Sequence, residues 1–130
     1  MLLVIDTNIL VNAIKSSDPN SKAAMLMRDV FNGVHKMCVS PDILDEYEDV
    51  LYRTELNLDR ALVSYVLSWI KINAFLIDPK PTTQHEVQMV DEDDRIFFDV
   101  ARCLNVRLVT RNYRDYPIDE LITLIDELYP

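Results

Sequence analysis

The stretch Leu2-Leu3-Val4-Ile5-Asp6-Thr7-Asn8 sets the fold. Unbroken apolar residues run from Leu2 to Ile5 and end at an acid. A strand with one wet face alternates polar and apolar residues. An unbroken run reads instead as a strand buried on both faces, as in parallel sheets. Asp6 interrupts the run too early for a membrane span or a signal-peptide core, so neither a leader nor a membrane segment is expected.

Outward from this strand, apolar runs alternate with helical patterns. Residues 20–34 read as a helix with Ala24, Met27 and Phe31 on one side, and 37–39 as a short strand. Ser40-Pro41 has the form of a helix start, with the hydroxyl as N-cap and proline in the first position. That helix runs to about Tyr52. A further helix covers 58–73, a brief strand 75–77, a long loop 78–90, a helix 92–105 and a strand 107–110. The stretch Ala61 to Phe75 is apolar-rich but carries Ser64, Ser68, Lys71 and Asn73, so it reads as a helix of a soluble protein. After a loop over 111–117, Leu121 to Thr123 reads as a fifth strand and Leu124 to Tyr129 as a last helical turn. This alternation predicts an α/β protein with helices on both faces of a parallel sheet. Such sheets bind ligands outside the carboxyl ends of their strands.

Composition narrows the function. A chain of 130 residues fits one domain over 1–130 and can bury roughly two-thirds of the surface its unfolded form exposes. Gly33 is the single glycine, which excludes the glycine-rich loops of Walker and dinucleotide-binding sites. Cys38 and Cys103 have no metal-ligand spacing and read as buried free thiols, which suits a reducing cytoplasm. The net charge of −9 counts against coating a nucleic acid through counterion release. It is compatible with an enzyme that gathers carboxylates around a metal ion.

Carboxylates recur at the predicted edge. Asp6 ends the first strand, where it is either an N-cap or a metal-site acid. In the helix beginning at Pro41, Ile43, Leu44, Tyr47, Val50 and Leu51 form an apolar stripe at about 100° per residue. Asp45, Glu48 and Asp49 point away from it; Glu46 flanks it, partly desolvated and in need of a partner. The run Asp91-Glu92-Asp93-Asp94 opens the next helix in the manner of a capping box. Helix-dipole chemistry favours acids there but does not demand four in succession. Asp94 lies near the buried side of that helix, whereas Asp99 and Arg102 are expected outside. Thr110-Arg111-Asn112-Tyr113-Arg114-Asp115-Tyr116 follows the last clear strand. Two carboxylates about 4 Å apart repel by roughly 4 kcal/mol at an effective dielectric near 20, so a cluster needs protons or a cation. Hard cations such as Mg²⁺ take oxygen ligands and can activate water against phosphorus. Arg111 and Arg114 flank the proposed site and suit phosphate contacts with RNA.

Taken in order, Val4-Ile5-Asp6-Thr7-Asn8, then Ser40-Pro41 to Glu46 and Leu51, then Asp91 to Asp94 and Ala101, then Thr110-Arg111-Asn112 with Asp115-Tyr116, the chain resembles the PIN domain. It is most similar to the VapC-like branch, the toxins of toxin–antitoxin pairs. The resemblance covers nearly the whole chain. It implies a three-layer α/β/α sandwich around a five-stranded parallel sheet and an Mg²⁺- or Mn²⁺-dependent endoribonuclease. It maps metal-binding acids onto Asp6, Glu46 and Asp94, with Asn8 holding Asp6 and Thr110 in support. Where the family often has a fourth acid this chain has Asn112, and Asp115 is the candidate to supply the missing charge. The resemblance also implies a homodimer and an antitoxin partner. Two other classes compete. A PIN-like module that binds RNA or a protein without efficient cleavage would account for Asn112. A phosphoacceptor receiver domain shares the length and acidity, but it needs a lysine after its last strand and none follows Lys80.

Overall fold

Leu2–Ile5 forms β1, the central strand of the computed structural model, which describes residues 1–130. Leu3, Val4 and Ile5 are fully buried, as the unbroken apolar run requires. β1 is followed by α1 (Thr7–Lys15), α2 (Lys22–Phe31), β2 (Lys36–Val39), α3 (Pro41–Leu51), α4 (Arg60–Asn73), β3 (Phe75–Leu76), α5 (Arg95–Leu104), β4 (Arg107–Thr110), β5 (Ile122–Leu124) and α6 (Ile125–Leu128). All strand pairings are parallel, in the order β3-β2-β1-β4-β5. In register, Leu3 faces Met37 on one side and Arg107 on the other.

This order positions the site. Chain from β1 crosses to β2 on one side, and chain from β3 returns past them to β4 on the other. Because parallel crossovers are right-handed, the opposite directions send their helices to opposite faces. The result is the expected α/β/α arrangement. The carboxyl ends of β1 and β4 therefore flank a topological switch point, where such sheets open a crevice. The Asp6 N–H donates to the Val109 carbonyl at 2.9 Å, so Asp6 is held at this crevice.

Several helix starts follow sequence chemistry. Ser40 caps α3 by accepting from the Ile43 N–H at 3.1 Å, with Pro41 at the first position. Ile43, Tyr47 and Leu51 bury the expected stripe. Asp59 caps α4 and Ser21 caps α2.

Three expectations are corrected. Cys103 is exposed; only Cys38 is buried. A helix turns Cys103 about 200° from Ala101, so nearby apolar residues do not make one buried face. Asp91 caps through the Asp93 N–H, with no reciprocal box to Asp94. The fifth strand starts one residue late because the Asp119 carboxylate takes the Leu121 N–H at 2.8 Å into a turn.

A further correction concerns Asp99, which is buried rather than solvated. It accepts from the N–H and hydroxyl of Thr82, in the long loop. Arg95 ties the same loop to α5. Its guanidinium donates to Glu92 through two nitrogens, at 2.7 and 2.8 Å, and also to Thr82, Gln84 and the carbonyls of Thr83 and Val87. The segment from Thr82 to Val87 thus covers a helix face that looks outward from sequence alone. No helix of the chain is long and apolar enough to cross a membrane.

Candidate active site

Asp6 and Asp94 both occupy N-cap positions, of α1 and α5, yet neither side chain caps its helix. In this chain Asp59 and Asp91 do cap, so the chemistry is available and is not used at Asp6 or Asp94. The Asp6 carboxylate accepts instead from the hydroxyls of Thr110 and Tyr116, each at 2.9 Å. Both bonds fall on Oδ2, which leaves Oδ1 free of side-chain hydrogen bonds. Thr110 and Tyr116 are themselves buried, so this grip on Asp6 is shielded from water. Burial raises the Asp6 pKa despite the opposing pull of the two hydroxyls.

Asp6, Glu46 and Asp94 line one cleft of about 350 Å³. Each comes from a different segment: the end of β1, the body of α3 and the start of α5. No hydrogen bond or ion pair engages the carboxylates of Glu46 or Asp94. Desolvation raises both; neighbouring acids add to the effect, and at Glu46 the Arg53 charge partly opposes it. Asp94 is pushed up to about 7, by burial first and then by the charges of Asp6 and Asp91. Buried acids that repel one another mark a site needing a proton or a cation.

The remaining predicted residues divide. Asn8 lines the cleft but does not hold Asp6; its Oδ1 is buried without a partner, as is the Thr7 hydroxyl. Thr110 does hold Asp6. Asp115 is half-buried outside the cleft lining, yet its charge raises both Asp6 and Asp94. Asn112 is exposed, and its Oδ1 accepts from the Arg114 N–H at 3.2 Å, capping a short turn. Arg111 and Arg114 do not line the acidic cleft. Arg111 belongs to an adjoining one, and Arg114 is exposed on the loop.

Sequence reasoning gave no role to Tyr116, Asn12 or Arg53. Tyr116 reaches Asp6 across 110 positions of chain, and no local pattern announces that contact. Arg53 lies just past the end of α3, in extended backbone that opens the next turn, so helix periodicity does not place it beside Glu46. It is the cation lining the cleft, and it pairs with Asp49 at 3.0 Å.

The comparison with known families agrees with this geometry. The family model described as PIN domain matches residues 2–114. This chain belongs to the PIN domain family. PIN domains are nuclease-type proteins, so a nuclease-type function is the general expectation for the chain. The match contains Asp6, Glu46, Asp94, Thr110 and Asn112 and stops one residue short of Asp115. Neither the curated proteins nor the solved structures supply a match.

The donor set tests what this PIN domain could hold. Four carboxylates line the cleft, Asp6, Glu46, Asp94 and Glu55, and with the orphaned oxygens on Asn8 and Thr7 they are donors of the kind a hard cation takes. No group of three acidic, histidine or cysteine side chains is arranged to close directly on one ion. A divalent ion held here would have to keep several of its waters, as Mg²⁺ can, because the side chains alone would not cage it.

Proposed function

We propose that this PIN domain is an endoribonuclease that hydrolyses RNA phosphodiester bonds with Mg²⁺ or Mn²⁺ bound to Asp6, Glu46 and Asp94. The observation that supports it best is that these three carboxylates, each raised by desolvation, share one cleft at the switch point with no ion pair to any of them. The bound ion would neutralise their repulsion and lower the pKa of water for attack on phosphorus. Thr110 and Tyr116 hold Asp6 through Oδ2, and Oδ1 would be the oxygen left to ligate an ion. Asp115 adds negative charge near Asp6 and Asp94, in place of the acid that Asn112 lacks. Arg53 offers a positive group to the phosphate without leaving the cleft.

On this reading the chain acts in the cytoplasm as the toxin of a toxin–antitoxin pair, forms a homodimer and is silenced by an antitoxin protein. A second reading, binding of RNA or a protein partner without efficient cleavage, draws support from the absence of three acids closing on one point. Cleavage of a mixed RNA pool separates the two. The parent should cut in Mg²⁺ or Mn²⁺, stop in chelator, and lose at least about a hundredfold on Asp6→Asn, near 2.7 kcal/mol in the barrier. A parent that binds RNA but does not cut it under any of these ions would favour the second reading.

A further inference from the structure

Cations are scarce on a chain of net charge −9, and their placement is uneven. Lys36 and Arg107 begin strands and therefore lie at the amino edge of the sheet. At the carboxyl edge a second cleft adjoins the acidic one. It is lined by Lys22 and Arg111, with Ser16, Ser21 and Asp126. Asn12 lines both clefts. Its Nδ2 donates to the Asn8 carbonyl at 2.6 Å, which leaves a second amide hydrogen for a phosphate oxygen and the amide oxygen for a ribose hydroxyl.

We propose that the Lys22–Arg111 cleft is a phosphate-binding subsite that seats an RNA phosphodiester flanking the one held in the acidic cleft, with Asn12 at the junction. This rests on the nuclease reading for the position of the strand. Ammonium and guanidinium groups beside the Ser21 hydroxyl suit a phosphodiester, the Ser16 hydroxyl being engaged with the Asp18 carbonyl, and a strand already leaving the acidic cleft past Asn12 enters here. Lys22 pairs with Asp126 at 2.8 Å, and both side chains are substantially exposed. Such a pair is weak and screened by salt, so a phosphate can take the ammonium from Asp126. Asp126 is thus a built-in competitor for the subsite.

The test is binding of a labelled single-stranded RNA in Mg²⁺ by fluorescence anisotropy against salt, in the Asp6→Asn background so that the strand stays intact. Lys22→Gln with Arg111→Gln should weaken binding and flatten the log–log salt slope by about 0.7, the value for one lost phosphate contact. Lys36→Gln, at the opposite edge, should leave the slope unchanged. Asp126→Asn should tighten binding about threefold, the scale of one exposed ion pair. Glu127→Gln, the next residue and equally acidic, should not match it. An unchanged slope in the double variant, an equal gain from Glu127→Gln, or no RNA binding at all would overturn the subsite. The nuclease reading is judged separately, by cleavage with the parent: cutting that persists while the slope fails to move would leave that reading standing and remove this one.

Discussion

Asp6 is held by two hydroxyls on one oxygen, and that is a directional device. Tyr116→Phe removes one donor and leaves the ring packing. It should cost about 1 kcal/mol of stability and about tenfold in cleavage, roughly 1.4 kcal/mol. Urea unfolding and initial rates measure the two separately. Asp94 predicts a pH dependence whose sign follows from its environment. Its carboxyl is pushed up to about 7 from an ordinary 3.8, so the folded state keeps the proton that the unfolded chain releases. Metal-free stability therefore falls as pH rises from 3.8 towards 7, and recovers as pH is lowered through that window. Melts in chelator should give a lower midpoint at about pH 8 than at about pH 6, and Asp94→Asn should narrow the gap. The raised Asp6 and Glu46 act in the same direction and leave a residual slope. Glu46 and Glu48 were separable in the sequence because helix geometry fixes their angles: one flanks the apolar stripe and the other is exposed. Tyr116 was not separable, because the position of its hydroxyl depends on how β4 and the turn after it are placed.

At the scale of elements, the long loop after β3 has structure supplied from outside itself. Arg95 and Asp99, four residues apart on α5, take up Thr82, Gln84 and the carbonyls of Thr83 and Val87. Asp99→Ala should therefore cost about 1–3 kcal/mol, since it leaves the Thr82 N–H and hydroxyl hydrogen without their acceptor. Asp45→Asn and Asp49→Asn, on the exposed side of α3, should stay within about half a kcal/mol. Arg95→Met should speed amide hydrogen exchange across Thr83 to Val87 before it affects the strands. The strands and helices were legible from runs, periodicity and caps, because each of those signals is local. The burial of Asp99 was not: its partner lies 17 residues away in a stretch with no periodicity. The exposure of Cys103 was missed for a related reason, since apolar neighbours in sequence are spread around a helix.

For the whole molecule, topology does what no single motif can. The strand order puts the ends of β1 and β4 side by side, and α3 and α5 bring Glu46 and Asp94 to the same cleft. The parallel sheet was readable from the buried runs; the order of its strands was not, because pairing is decided by contacts distant in sequence. The three acids were likewise readable as candidates, while their shared cleft depended on that order. The basic residues were legible by type only: Arg111 turns into the neighbouring cleft, and Arg53 takes the place near Glu46. The central claim is that Asp6, Glu46 and Asp94 bind one divalent ion together, and calorimetric titration of Mn²⁺ into the parent and four variants tests it most directly. A saturable site is expected in the parent, weakened at least about tenfold, or 1.4 kcal/mol, by each of Asp6→Asn, Glu46→Gln and Asp94→Asn, and unchanged by Glu48→Gln. Equal Mn²⁺ affinity across the parent and the three cleft variants would contradict it.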